Sequence, residues 1–152
     1  MSLFLLTKIC YKAYMKTCEQ ITVQGPVVHG AKRGRELGFP TANIELNEEY
    51  ASKMPEIGIY AVWVKSNSPK INGICMGAAS WGFNPTFGLT NPQLEVHILN
   101  FDNDIYGEEL EVEFVEFIRG EINFACLESL VEKIQEDCEK TEEILNERHK
   151  VA

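Results

Sequence analysis

Apolar and polar residues alternate along most of the chain between residues 20 and 120. The pattern is clearest in three segments, GIYAVWVK (58–65), QLEVHILNF (93–101) and ELEVEFVEFIR (109–119). Residues two apart project to the same side of a strand, so each segment can turn one apolar face toward a core. In the second segment the polar face carries Glu95 and His97, and the apolar face is formed by Leu94, Val96 and Ile98. In the third, one face is expected to hold Leu110, Val112, Phe114 and Glu116.

Two more segments have the composition of strands but contain glycine or proline. ITVQGPVVHG (21–30) predicts a strand with a bulge or bend at Gly25 and Pro26. INGICMGAAS (71–80) predicts a strand weakened by its glycines. The connection SNSPK (66–70) has turn composition, so the strands on either side of it are expected to form a hairpin.

The tail of the chain changes to the spacing of a helix. Its apolar stripe consists of Leu127, Leu130, Val131, Ile134, Cys138, Thr141, Ile144 and Leu145. Acids and lysines occupy most other positions, which predicts an amphipathic helix lying on the sheet. Short antiparallel strands followed by one helix favour a mainly β domain, either a closed barrel or a sandwich covered by a helix.

Composition restricts the class of function. A chain of 152 residues, 45% of them hydrophobic, suits one domain with a core. No segment approaches the roughly 20 apolar residues of a membrane span, so no membrane partner is expected. The net charge of -9 argues against general nucleic-acid binding. The five cysteines are scattered without a CxxC pair, which predicts reduced thiols and a cytoplasmic location, with an organellar one as the alternative.

The first residues differ from the rest. MSLFLLTKICYKAYMK (1–16) contains three lysines and no acid. It could be a targeting segment, but it lacks the arginines typical of import peptides. The second interpretation is an irregular extension, part of it introduced by cloning. We therefore divide the chain into an N-terminal extension, 1–18, and one domain, 19–152.

The motif HGAKRGRELGFPTAN (29–43) carries the first candidate chemistry. It is too polar for a buried strand and its glycines interrupt any helix. Glycines permit close backbone approach to phosphate oxygens, and the local cations could supply positive charge. The glycines are Gly30, Gly34 and Gly38, and the cations are Lys32, Arg33 and Arg35. Spacing alone also fits a flexible basic loop ended by a proline turn.

Thr41 and Asn43, at the end of this motif, are the candidate metal ligands. If a strand begins at Thr41, the two side chains project to the same side. A hydroxyl and an amide oxygen are hard, neutral donors, which Mg²⁺ accepts together with phosphate oxygens of a substrate. Neutral ligands alone would hold free Mg²⁺ weakly, so the metal is expected to arrive with a nucleotide.

Three other features have both a chemical and a structural interpretation. Glu95 could take a proton from a hydroxyl nucleophile, or could be a solvated glutamate on the outer face of a strand. His97 is interpreted as making a structural hydrogen bond. The loop SWGFNPTFG (80–88) could sandwich a planar ring between Trp81, Phe83 and Phe87, or could be an edge of the core. Arg119 could meet phosphate or a ring, or could fix a loop through a salt bridge.

The order of these motifs closely resembles the riboflavin kinase (flavokinase) family. The segments that carry the resemblance are GPVVHGAKRGRELGFPTANI, GIYAVWV, AASWGFNPTFG, LEVHILNF and DIYGEELEVEFVEFIRGEINFACLESLVEKIQED. They extend from Gly25 into the C-terminal helix, which is nearly the whole chain. The resemblance implies a mainly β fold, a six-stranded antiparallel Greek-key closed barrel with a C-terminal amphipathic helix.

The resemblance also implies roles for individual residues. Glu95 would be the catalytic base, and Thr41 and Asn43 would hold the Mg²⁺ of Mg-ATP, for which Zn²⁺ or Mn²⁺ could substitute. The residues implied near the nucleotide are Gly30, Arg35 and Tyr106. Those implied on a mobile flavin-side loop are Arg119, Asn123 and Phe124. The family's usual Arg-Pro-Glu reads Arg-Gly-Glu at 119–121 here, which loosens that loop, and Arg35 stands near the place of a lysine that eukaryotic members often carry.

The activity implied by the resemblance is transfer of the γ-phosphoryl group of ATP to the 5′-hydroxyl of riboflavin, with FMN as product. Riboflavin and ATP are then the only expected partners, and the chain is expected to be a monomer. Many bacterial relatives make FAD with an additional N-terminal domain, and we expect no FAD synthesis here. Three alternatives stay open: a non-catalytic flavin-binding barrel, an inactive scaffold, and a kinase for another small alcohol.

Overall fold

The computed structural model describes residues 20–30, 33–83 and 91–151. Within those ranges the strands are β1 (Thr22–Val28), β2 (Ala42–Ile44), β3 (Gly58–Lys65), β4 (Cys75–Gly82), β5 (Gln93–Ile98) and β6 (Glu109–Arg119). The helices are α1 (Arg33–Glu36), α2 (Glu48–Ser52) and α3 (Leu127–Val151). The extension 1–18, Lys32 and Phe87 lie outside the described residues.

The six strands form a closed antiparallel barrel in the order β1-β2-β5-β4-β3-β6. Strands β2 and β5, and likewise β3 and β6, are neighbours although they are not consecutive in the chain. Pairing of β1 with β6 closes the barrel. Closure leaves no exposed sheet edge, which explains how short strands make a stable unit. The predicted six-stranded barrel with a C-terminal helix is confirmed.

The barrel interior is filled by the apolar face of each strand. On β5, Leu94, Val96 and Ile98 are at most 4% exposed, as the alternation predicts. Ala42 and Ile44 of β2 also point inward and belong to the same core cluster. The predicted hairpin β3–β4 is present, but its connection is longer than predicted and extends over residues 66–74, because β4 begins only at Cys75.

Strand β1 runs without the predicted bulge. Its pairing with β6 continues without a register shift from Thr22 to Pro26. Gly25 is required for a different reason, because a Cβ there would lie 2.1 Å from the carbonyl oxygen of Glu45. The glycine thus permits close approach of the chain that follows β2.

The predicted alternation along β6 is wrong after Phe114. The β3–β6 register shifts twice, so Glu116 pairs with Ala61 and Phe117 pairs with Tyr60. Ala61 belongs to the cluster beneath α3, whereas Tyr60 belongs to the barrel core. An extra residue in one strand changes the face of everything after it. Glu116 therefore does not join the core face.

Helix α3 covers the outside of the barrel. Ile144 and Leu145 pack with Ala61, and the partly buried neighbours of this cluster are Trp63, Met76, Val115 and Ile118. The predicted stripe is confirmed at Leu130, Cys138, Thr141, Ile144 and Leu145, which are all buried. Leu127, at the start of the helix, is 55% exposed, and Asp137 is unexpectedly buried. Among the described helices, none is long and apolar enough to cross a membrane.

Candidate functional site

Residues 33–41 form a compact turn in place of the predicted irregular loop. One helical turn, α1, is ended by Gly38 with φ +87°, a conformation that favours glycine. The Phe39 N–H donates to the Gly34 carbonyl at 2.7 Å. A Cβ at Gly34 would lie 2.4 Å from the Phe39 carbonyl oxygen, so this closure depends on glycine. The turn delivers the chain directly into Thr41 and β2.

Thr41, Asn43 and Glu95 come together on the outer surface of the barrel. Ala42 and Ile44 point inward, so the side chain of Asn43 between them lies on the opposite face. Asn43 pairs directly with Glu95 across β2 and β5. The Thr41 hydroxyl donates to Glu95 Oε1 at 3.3 Å, a long hydrogen bond. The predicted carboxylate therefore lies beside the predicted neutral oxygen donors, 52 and more residues away in the chain.

Gly30 is packed directly against Asn43. A Cβ at Gly30 would lie 2.1 Å from Asn43 Nδ2 and 2.7 Å from Asn43 Oδ1. Asn43 is only 9% exposed. The end of β1 thus covers the amide of Asn43 with bare backbone, which restricts where that amide can point.

His97 contacts the segment just before Thr41. Its Nδ1 lies 2.7 Å from the Pro40 carbonyl oxygen, and its ring makes an edge contact with Phe39 at 5.5 Å between centroids. A carbonyl can only accept, so the proton is on Nδ1. The structural hydrogen bond predicted for His97 is present.

Two hollows flank this group of residues. The first is lined by Arg35, Thr41 and Tyr106, with Asp102 and Asp104 at its side. The second is lined by Gly30, Asn43 and Trp81, with Pro92 and Gln93 at its rim. The Tyr106 ring stacks on His29 at 3.8 Å between centroids, with 19° between the planes. Thr41 lines the first hollow and Asn43 lines the second, so the two residues lie where the two hollows adjoin.

The loop after β6 approaches the end of β4 at Gly82, next to Trp81, which lines the second hollow. The Glu121 carboxylate is so close to Gly82 that a Cβ there would lie 2.3 Å from Glu121 Oε1. Gly82 in turn pairs with Gln93, one of the residues lining that hollow. Asn123 in this loop is exposed, and Phe124 is partly exposed.

Arg119 is held by a buried ion pair. Its Nη2 lies 2.7 Å from Asp137 Oδ2, its Nε donates to both Asp137 oxygens, and its Nη1 donates to the Gly120 carbonyl. The two side chains are 15% and 7% exposed. The guanidinium also lies over the Phe124 ring, 5.9 Å from its centroid. Of the two interpretations from the sequence, the structure shows the salt bridge that fixes a loop.

The family comparison agrees with this geometry. The sequence model of the Flavokinase family, described as riboflavin kinase, matches residues 17–145. The chain belongs to the riboflavin kinase family. A bifunctional riboflavin kinase/FMN adenylyltransferase of Listeria monocytogenes is 42% identical over 121 residues, which is 79% of this chain and 37% of that protein. The chain thus spans little more than a third of the length of the curated relatives it first matches.

Solved structures show the same likeness. The crystal structure of riboflavin kinase from Trypanosoma brucei matches with a TM-score of 0.62 and 27% identity, over 86% of this chain and 82% of that chain. A Streptococcus pneumoniae structure titled as a macrolide-efflux protein matches with a TM-score of 0.69 and 36% identity, over 81% of this chain and 38% of that one. The riboflavin kinase structure is therefore matched over most of its length.

The donors present in this riboflavin kinase family member fit a hard cation. Thr41 Oγ1 and the Asn43 side-chain oxygen are the neutral donors, and the Glu95 carboxylate adds negative charge beside them. In the described ranges, no group of three or more His, Cys, Asp or Glu side chains could hold a metal. A metal at this position would therefore need phosphate oxygens or water to complete its coordination.

Two features of the site escaped sequence reasoning. The sequence left open whether Trp81 offers a ring face to a ligand or lies at the edge of the core; it is 9% exposed and belongs to the barrel core. Phe83, the next aromatic in that loop, is 36% exposed. Asp137 is among the acids outside the predicted apolar stripe, yet it is buried, and it lies three residues after Ile134 and four before Thr141. An acid between apolar positions of the helix, together with Arg119 at the end of a strand, was the available sequence signal for this ion pair.

Proposed function

We propose that this protein transfers the γ-phosphoryl group of Mg-ATP to the 5′-hydroxyl of riboflavin, giving FMN and ADP. The observation that carries the proposal is the juxtaposition of Glu95 with Thr41 and Asn43 at the junction of two hollows. One carboxylate beside two neutral oxygen donors suits transfer between an alcohol and a metal-bound phosphate. Membership of the riboflavin kinase family supports riboflavin as the acceptor.

In this proposal Glu95 holds the riboflavin hydroxyl in line with the γ-phosphorus. The hydroxyl oxygen forms a new bond to the γ-phosphorus, and its proton passes to the Glu95 carboxylate. The bond between the γ-phosphorus and the β–γ bridging oxygen breaks, and its electron pair leaves with ADP. Phosphoryl transfer relies mainly on positioning and charge neutralisation, so a weak base suffices. The Thr41 hydroxyl donates to Glu95 and thereby also orients the carboxylate.

Thr41 and Asn43 would hold the Mg²⁺ that accompanies ATP. When bound, the metal would neutralise charge on the phosphate oxygens. The contact of Gly30 with Asn43 supports the assignment, because it fixes the amide whose oxygen is needed. Mn²⁺ and Zn²⁺ are oxygen-binding alternatives to be compared with Mg²⁺ in the same assay.

The two hollows suggest where each substrate binds. Arg35 and Tyr106 line the hollow on the Thr41 side, which we assign to the nucleotide. We assign the other hollow to riboflavin, with Asn123 and Phe124 contributed by the loop whose Glu121 approaches Gly82. Arg119, at the start of that loop, is held by its ion pair with Asp137 of α3. A monomer in the cytoplasm completes the proposal, and size-exclusion chromatography and cell fractionation would test those two statements.

The direct test is transfer of radiolabel from γ-labelled ATP to riboflavin, followed by chromatographic identification of FMN. We expect Mg²⁺-dependent labelling by the wild-type protein. Glu95→Gln, which keeps the shape of the side chain, should lower kcat by about 100-fold or more. Unlabelled riboflavin in the presence of bound ATP would reject the kinase assignment.

The rival with a stated prediction is a barrel that binds flavin without catalysis. It requires flavin binding but no Mg²⁺-dependent nucleotide binding, and it leaves Thr41, Asn43 and Glu95 without a role. Titration of riboflavin fluorescence with and without Mg-ADP separates the two. Binding of riboflavin alone, indifferent to Mg-ADP and without label transfer, would favour the rival.

A further inference from the structure

The outward face of β5 contacts residues 39–41 through two side chains. Glu95 accepts from the Thr41 hydroxyl, and His97, two residues further along the same strand, reaches the Pro40 carbonyl. These contacts lie just before Ala42, the first residue of β2 that pairs with β5. The entry to β2 is thus fixed by side chains at the point where the pairing of β2 with β5 begins.

The His97 contact has the geometry of a strong restraint. The distance from Nδ1 to the Pro40 oxygen is 2.7 Å, and the hydrogen bond is partly buried. The Phe39 ring meets the His97 ring edge-on, with 78° between the planes. His97 therefore contacts both the Pro40 carbonyl and the Phe39 ring. Together these two contacts restrict the direction in which the chain enters Thr41.

We propose that His97 is a positioning residue that sets the orientation of Thr41 toward the metal and Glu95. The inference rests on the proposed function, because it assigns Thr41 to the Mg-ATP side of the site. His97 acts through Pro40 and need not touch either substrate. Its loss should therefore raise KM for Mg-ATP while KM for riboflavin, which depends on the other hollow, stays unchanged.

Two substitutions separate the hydrogen bond from the ring contact. His97→Asn places an amide N–H close to the position of Nδ1, so it retains the donor and loses the ring. His97→Phe retains an aromatic ring against Phe39 and loses the donor. Val62→Ala, a fully buried core position on β3, is the control for lost stability alone.

Steady-state kinetics should distinguish positioning from general destabilisation. For His97→Phe we expect KM for Mg-ATP and the Mg²⁺ concentration for half-maximal rate to rise about five-fold, if the full contribution of one hydrogen bond is lost from the positioning of Thr41. KM for riboflavin should stay within about two-fold. His97→Asn should recover most of the Mg-ATP effect. Equal changes in both KM values, or a profile matching Val62→Ala, would overturn the proposal.

A second measurement needs no substrate. Amide hydrogen exchange, read at residues 41–43 in the free protein, should be faster in His97→Phe and near wild type in His97→Asn. If wild-type protein fails to phosphorylate riboflavin, the proposed function fails, and the exchange data alone decide the role of His97. Unchanged exchange in His97→Phe would show that His97 does not hold this segment.

Discussion

Removing the charge of Asp137 should destabilise the protein much more than removing a neighbouring charge on the same helix. Asp137 is 5% exposed and bonds to both Nε and Nη2 of Arg119. Asp137→Asn keeps the volume but leaves the arginine charge without its counter-charge. Breaking a buried pair by removing one partner costs about 3–5 kcal/mol. Arg119 is 15% exposed and can gain some hydration, so we expect about 3 kcal/mol.

Urea denaturation followed by tryptophan fluorescence measures this loss. Trp81 lies in the barrel core and Trp63 packs beneath α3, so the two tryptophans report on both clusters. In a domain of this size about 3 kcal/mol corresponds to a fall in Tm of roughly 10 °C. The slope of the free energy of unfolding against urea should be unchanged if only the native contact is lost.

Glu136→Gln is the matched control. Glu136 also carries one negative charge on α3, but its partner is Lys133 on the surface, and its side chain is 64% exposed. Such exposed pairs contribute about 0.5 kcal/mol or less. If Asp137→Asn and Glu136→Gln lose the same stability, the ion pair does not hold the β6 exit to the helix, and the reasoning is refuted.

Three further predictions concern separate regions. Gly30→Ala should raise KM for Mg-ATP by about ten-fold or more, because the added Cβ would lie 2.1 Å from Asn43 Nδ2. An unchanged KM for Mg-ATP would contradict the role of this contact. Leu110→Ala should cost about 2–5 kcal/mol in urea denaturation, since Leu110 is fully buried in the barrel, and a loss below 1 kcal/mol would mean that β6 is loosely packed. Burial, with neighbouring carboxylates, raises the pKa of the Cys138 thiol to about 11 from 9.0. The Cys138 thiol should react more slowly with iodoacetamide at pH 8 than the exposed Cys126 thiol, and equal labelling of the two in peptide mapping would show that Cys138 is accessible. The free energy of unfolding should fall as pH rises above 9, because the Cys138 thiol loses its proton at lower pH in the unfolded state than in the folded state.

Period-two patterning predicted the strands because burial on one face is a local property of sequence. The inward face of β5 and the outward position of Glu95 follow from it directly. The face change within β6 did not follow, since Phe117 is set by where β3 shifts register against it. A register shift depends on two strands that are far apart in sequence.

The candidate site was predictable where the motif itself supplies the geometry. Thr41 and Asn43 both lie beside Glu95 of another strand, although β2 begins at Ala42 and not at Thr41 as the motif suggested. The partner of His97 could not be named in advance, and the only sequence signal for the partner of Arg119 was the position of Asp137 between apolar residues of the helix. Each lies on an element whose position depends on how the barrel closes and where α3 docks.

The shortest strand of the barrel links β1 to β5 and also carries a candidate metal ligand. Strand β2 has three residues, and only Ile44 and Asn43 pair it with β1. Its central side chain, Asn43, is also a candidate ligand of the nucleotide's metal. A substitution at Asn43 can therefore disturb the pairing of β2 with its neighbours as well as the proposed binding of the metal. A loss of activity in an Asn43 variant can be interpreted only together with a measurement of its stability.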